Sequence, residues 1–102
     1  MHLIQILLPT YDNRGQRFDD AVFSKTRAEL VERFGGVTAY LRATASGAWI
    51  APDGNVERDE MVMVEVVADE LDPGWWQEYL RVLRARFGQD EILARALSGR
   101  RL

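Results

Sequence analysis

Glu91-Ile92-Leu93-Ala94-Arg95-Ala96-Leu97 decides the fold. Its Glu, Leu, Ala and Arg are good helix formers, so intrinsic propensity alone favours a helix. Read as a strand, the same residues close a pattern that is otherwise one element short. Three strands and two helices come ahead of it, and a helical tail would leave one sheet edge open, an unpaired row of N–H and C=O groups. A strand is therefore expected between Asp90 and Leu102.

Upstream of the tail, Asp72-Pro73 is a helix start with a mechanism. The Asp side chain caps free N–H groups, and Pro at the first helical position gives up an N–H that has no partner. Trp76, Tyr79, Leu80, Leu83 and Phe87 recur at helical spacing, and Gly88 provides the left-handed stop. Before this helix, Val62, Val64, Val66 and Ala68 alternate with Met61, Met63, Glu65 and Val67, the period of a strand. The segment 37–45 alternates in the same way, with Val37, Ala39, Leu41 and Ala43 against Thr38, Tyr40, Arg42 and Thr44. The turn-rich connection 46–55 joins the two as a hairpin, and Ala48-Trp49-Ile50 can extend the strand past a bulge.

At the other end, His2 to Leu8 is apolar on both alternating faces, as a central strand covered on two sides should be. Pro9 ends it, and Tyr11 to Arg17 forms a polar turn. Asp19 or Asp20 caps a helix running to about Phe34, with Val22, Phe23, Thr26, Leu30 and Phe34 on its core stripe and Gly35-Gly36 after it.

Composition agrees with one compact domain over residues 1–102. The chain has 102 residues, 47% of them hydrophobic and 28% charged, close to the globular average. It has no cysteine, which removes disulfides, thiolate chemistry and iron–sulfur clusters together. The only apolar run near the start is Leu3 to Leu8, far short of a membrane span, so a soluble, cytoplasmic protein is expected. Net charge is −3, with no general pull toward nucleic acid or anionic lipid. The charge is polarised: from Asp53 to Asp72 eight acids face Arg58, a balance of −7, and from Arg81 onward six arginines face Asp90 and Glu91, a balance of +4.

The element order is β-α-β-β-α-β, which gives an α+β fold of the ferredoxin-like type: a four-stranded antiparallel sheet with two helices on one face. The second face carries Leu3, Gln5, Leu7, Thr38, Tyr40, Arg42, Thr44, Met61, Met63, Glu65 and Val67. Exposed apolar area is unfavourable by about 25 cal/mol per Å², so a second copy packed face to face is the economical cover, with Leu3, Leu7, Met61, Met63 and Val67 at the dimer interface.

The element order and the mixed open face resemble the dimeric α+β barrel superfamily. More narrowly, Phe34-Gly35-Gly36-Val37-Thr38, Gly47-Ala48-Trp49, and Gly54 followed by Glu60 and the valine strand are similar to a group of small uncharacterised bacterial proteins. The resemblance spans roughly Leu3 to Val67. It implies a homodimer whose inter-sheet cleft holds a small organic ligand, and it carries no assigned activity.

On that arrangement Gln5, Thr38, Tyr40, Arg42, Met63 and Glu65 form the candidate ligand-binding set. Tyr40, Arg42 and Glu65 are the candidate catalytic residues: Glu65 as a general base raised by desolvation, Arg42 binding an anionic substrate or enolate. The plainer reading is that Arg42 and Glu65 pair across neighbouring strands at the interface. Three function classes follow: a ligand-binding homodimer, a cofactor-independent monooxygenase or isomerase of the dimeric α+β barrel type, and a structural or interaction module acting through its arginine-bearing second helix and tail.

Other chemistries lack their residues. His2 is the only histidine, too little for a histidine-based metal site or a nucleophilic triad. The turn Asp53-Gly54-Asn55-Val56-Glu57 lacks calcium-loop spacing, so neither a metal nor a cofactor is expected. An oxyanion site at the first helix start conflicts with the negative charge of Asp19 and Asp20 there. RNA binding needs aromatic residues on the central strands, and the matching positions here are Leu3, Gln5, Leu7, Met61, Met63 and Glu65.

Overall fold

The computed structural model describes residues 1–50 and 56–102, and the side chains of residues 1–39 and 61–102. Six elements follow one another as β1 (His2–Pro9), α1 (Asp20–Phe34), β2 (Thr38–Ile50), β3 (Val56–Ala68), α2 (Pro73–Phe87) and β4 (Ala94–Ser98). The strand order is β2-β3-β1-β4, with every pairing antiparallel. The expected α+β arrangement is therefore present, with β1 and β3 as the central pair. The tail is a strand, paired to β1 from His2↔Ser98 to Ile6↔Ala94. The backbone N–H of Leu7 also donates to Leu93 O, 2.9 Å away.

Both helices start and stop where local chemistry dictates. Asp19 accepts from the backbone N–H of Ala21, and Asp72 from that of Trp75. At the other ends Gly35 (φ 80°) and Gly88 (φ 60°) take the left-handed conformation, which costs a residue with a Cβ. The long hairpin reaches further than alternation alone marks: β2 and β3 have 13 residues each, with a register shift between Ala43 and Ala48. The connecting residues 51–55 lie outside the described residues, as do the side chains of Trp49 and of the candidate residues Tyr40 and Arg42.

Ile4, Ile6 and Leu8 from β1 and Val64, Val66 and Ala68 from β3 form the floor of the core. Leu30, Trp76, Tyr79, Leu83 and Phe87 close it from the helices. Trp76 is buried while Trp75 is half-buried, and Trp75 lies under the guanidinium of Arg33, 5.0 Å from ring centre to Cζ. Phe34 stacks on Trp76 with ring centres 5.3 Å apart, so the end of α1 and the start of α2 are joined through aromatic rings. A bidentate ion pair between Arg86 and Glu29 joins the two helices further along.

Candidate functional site

Strand register turns the uncovered sheet face into a set of rows. Glu65 is the register partner of Thr38 on one side and of Gln5 on the other, and Gln5 is the partner of Arg95. Thr38, Glu65, Gln5 and Arg95 thus cross all four strands in a single polar line. The Arg95 Nε–H donates to Gln5 Oε1 over 2.7 Å, which fixes the Gln5 amide within the line.

An apolar row lies on either side. Val67, Leu3 and Leu97 are partners across β3, β1 and β4. Met63 and Leu7 are partners on the other side of the polar line, with Tyr40 opposite Met63 on β2. Val67 and Leu97 are 41% and 43% exposed, so the outer row presents apolar surface to water. Met63 differs: it stands on the same face yet is only 2% exposed, and it is absent from the core cluster on the helix side.

The register separates two residues that alternation alone placed together. Arg42 is opposite Met61, whereas Glu65 is opposite Thr38. The two positions are four residues apart along β3, roughly 13 Å at the usual strand rise, so a direct cross-strand pair between Arg42 and Glu65 does not follow from the pairing. Gln5, Thr38 and Glu65 share one line, Tyr40 and Met63 the next, and Arg42 the one beyond. Arg95 belongs to the first of these lines and escaped the sequence reading, because the register of β4 is set only by its pairing with β1.

A concavity lies on the opposite side of the sheet, between α1 and the strands. It has a volume of about 490 Å³. Leu8, Val62 and Val64 of the sheet and Phe23 of α1 line it, together with Ala39 at the start of β2. Ala39 is the register partner of Val64 and is nevertheless exposed, so the helix layer does not cover this end of β2. Arg17, Asp20, Ser24 and Arg27 supply its polar wall, and Thr10 lies at its border. Arg17 and Asp20 belong to the helix start at which the sequence argues against an oxyanion site, whereas Thr10, Ser24 and Arg27 carry no site signal in the sequence, since they come from separate parts of the chain.

Among the described residues no group of three or more His, Asp or Glu side chains is placed to hold a metal. No helix of the described residues is long and apolar enough to cross a membrane.

No family model matches the chain, and no curated protein matches it. Solved structures do share its fold. A phage SAM lyase in complex with S-methyl-5'-thioadenosine aligns with a TM-score of 0.65 at 13% identity, covering 94% of this chain and 79% of that one. A phage SAM lyase in the apo state aligns with a TM-score of 0.59 at 14% identity, covering 94% and 78%. At such identities the likeness concerns backbone architecture: this chain shares the α+β fold of those phage enzymes over nearly its whole length.

Proposed function

We propose that this protein is a ligand-binding homodimer, joined through its open sheet face and holding a small organic molecule between the two sheets. The observation that carries the reading is the striped face, a polar line of Thr38, Glu65, Gln5 and Arg95 bordered by apolar rows containing the exposed Val67 and Leu97. Exposed apolar rows rimming polar residues in this way mark an association site. The polar line is complementary to itself in charge. A second copy turned about an axis parallel to the strands and passing over β1 sets its Arg95 above Glu65, and the reverse contact forms at the same time. Leu3, Leu7, Met61 and Val67 make the apolar part of this interface, while Met63, buried within the chain itself, offers it no surface. Gln5, Thr38, Tyr40, Arg42 and Glu65 surround the ligand. A cytoplasmic location fits this reading.

The likeness to a lyase solved with a bound thioether nucleoside favours a second reading, in which the same cleft is a cofactor-independent active site. Glu65 would then act as the base, with Arg42 and Tyr40 orienting the substrate.

Native mass spectrometry of the purified full chain, with and without added S-methyl-5'-thioadenosine, tests the proposal. A dimer mass that Val67→Lys converts to monomer, with a bound small molecule lost in the same variant, is the expected result. A monomer across the micromolar range overturns the interface, and a dimer unaffected by Val67→Lys places it elsewhere.

A further inference from the structure

Thr10 directly follows β1 and borders the concavity between α1 and the sheet. It is only 2% exposed, and its side-chain Oγ1 has no hydrogen-bond partner among the described residues. Buried hydroxyls are nearly always satisfied, so an orphan one bordering a cavity calls for an occupant that supplies the missing partner. The backbone at Thr10 is otherwise engaged: its carbonyl accepts from the Phe18 N–H over 3.0 Å. That bond and the Tyr11↔Arg17 bridge close a short hairpin that carries Arg17 to the cavity.

The rest of the wall has the same directional character. Asp20, Phe23, Ser24 and Arg27 follow the i, i+3, i+4, i+7 spacing that lines up one stripe of α1, and all four line the cavity, Phe23 while also packing against the edge of the core. Phe23 with Leu8, Val62 and Val64 provides an apolar floor. Two guanidinium groups, Arg17 and Arg27, stand against one carboxylate, Asp20, and none of the three is in an ion pair with any described residue. The volume lies within the range of small-molecule pockets.

We propose that this cleft binds a small organic carboxylate with a flat apolar body and a second polar group. The carboxylate is held by Arg17 and Arg27, the body lies on Leu8, Phe23, Val62 and Val64, and the second polar group reaches the hydroxyl of Thr10. The cleft lies on the opposite side of the sheet from the proposed dimer interface and is independent of it.

The test uses 6-hydroxy-2-naphthoate as the probe and neutral 2-naphthol as its control, titrated into the full chain and followed by amide chemical shifts. Saturable shifts centred on Thr10, Ser24 and Arg27 are expected, with the neutral control at least tenfold weaker. Arg27→Gln should weaken the carboxylate about tenfold and leave the control unchanged. Thr10→Val should weaken the probe several-fold while the thermal midpoint of the free protein holds or rises, because an unsatisfied hydroxyl is replaced by a methyl group of the same shape. Ser24→Trp should fill the cleft and abolish binding. The monomer-forming Val67→Lys should still bind. Shifts centred on Gln5 and Glu65, equal affinity for the neutral control, or no saturation at millimolar probe would each overturn the proposal.

Discussion

Arg86 of α2 grips Glu29 of α1 with both arms of its guanidinium: Nη1 lies 2.6 Å from Oε1 and Nη2 lies 2.9 Å from Oε2. The same Nη1 donates to the Thr26 hydroxyl over 2.8 Å, and the Tyr79 hydroxyl donates to Glu29 Oε1 over 3.0 Å. Bidentate charge-assisted bonds of this kind are among the stronger polar contacts in proteins. Removing one partner leaves the other partly buried and unpaired. Arg86→Met and Glu29→Gln should each cost about 1.5–3 kcal/mol of stability, read from urea unfolding at neutral pH, whereas breaking the exposed Glu78–Arg81 pair by Arg81→Met should move the midpoint little.

The same cluster sets an acid and an alkaline limb. The hydrogen bond from Arg86, aided by that from Tyr79, holds the Glu29 carboxyl below its ordinary value of 4.5, against the opposing effect of burial. A carboxylate depressed in the folded state binds protons more readily when unfolded, so its contribution is complete above about 4.5 and is lost as pH falls through the folded-state value. Burial first, and then Glu29, push the Tyr79 phenol above its ordinary value of 10.0, so its contribution is present below that value and fades as pH rises beyond it. Unfolding midpoints between pH 7 and pH 3 should fall less steeply in Glu29→Gln than in the native chain. Identical slopes would mean that the pair does not govern the acid limb.

Gly35 and Gly88 should respond differently from Gly36. A Cβ built at any of the three meets no atom within 4 Å, but only the first two have positive φ. The cost of alanine at Gly35 or Gly88 is therefore conformational alone, about 1 kcal/mol, while Gly36→Ala should be neutral or slightly stabilising. Asn at Gly88 should recover part of the loss. Thermal unfolding of the three alanine variants side by side checks the contrast.

Leu83 and Leu97 offer the same side chain in opposite settings. Leu83 is fully buried, whereas Leu97 is exposed on the striped face. Leu83→Ala should cost about 2–5 kcal/mol through lost burial and the cavity left behind. Leu97→Ala should leave the unfolding midpoint of the monomer almost unchanged and weaken self-association, measured by sedimentation over a concentration series.

Glu65→Gln distinguishes a reacting group from an interface group. Loss of turnover, with dimer mass and thermal midpoint retained, is the outcome for an active site. Loss of the dimer is the outcome for a pairing role at the interface.

Much of the architecture was legible because its signals are local. Asp19 and Asp72 as caps, Gly35 and Gly88 as stops and the alternation from Val62 to Ala68 each carry their meaning within a few residues. The tail is the instructive exception. Glu91 to Leu97 has helical propensity, and from Ala94 onward it becomes a strand because β1 offers an unpaired edge there, a tertiary demand that outweighs a few tenths of a kcal/mol per residue. The extension of β2 through Ala48-Trp49-Ile50 past a bulge was legible, as the register shift between Ala43 and Ala48 agrees, whereas the start of β3 at Val56, ahead of Met61, carries no alternating apolar signal.

Site residues divide along the same line. Gln5, Thr38 and Glu65 were assigned to one face by period, and pairing sets them in one row. Arg95 joins them only through the offset of β4 against β1, a quantity that alternation cannot supply. Thr10, Arg17 and Arg27 meet across a turn, a cap and two helical turns, and no spacing rule connects a hydroxyl at a strand end with guanidinium groups seven and seventeen residues later.

The first and last strands of the fold are neighbours in the sheet, and the first is one of its two central strands. β1 is made first during synthesis, yet one neighbour begins at Val56 and the other at Ala94. A ribosome therefore releases the innermost strand long before either side of it can be paired. The α1 helix and the β2–β3 hairpin can form as they emerge, but closure waits for the sixth element, and the β4 edge of β1 stays bare until then. Folding should accordingly be slow for a chain of this size, and the interval before β4 arrives is when the nascent chain is most exposed to pairing with the wrong strand.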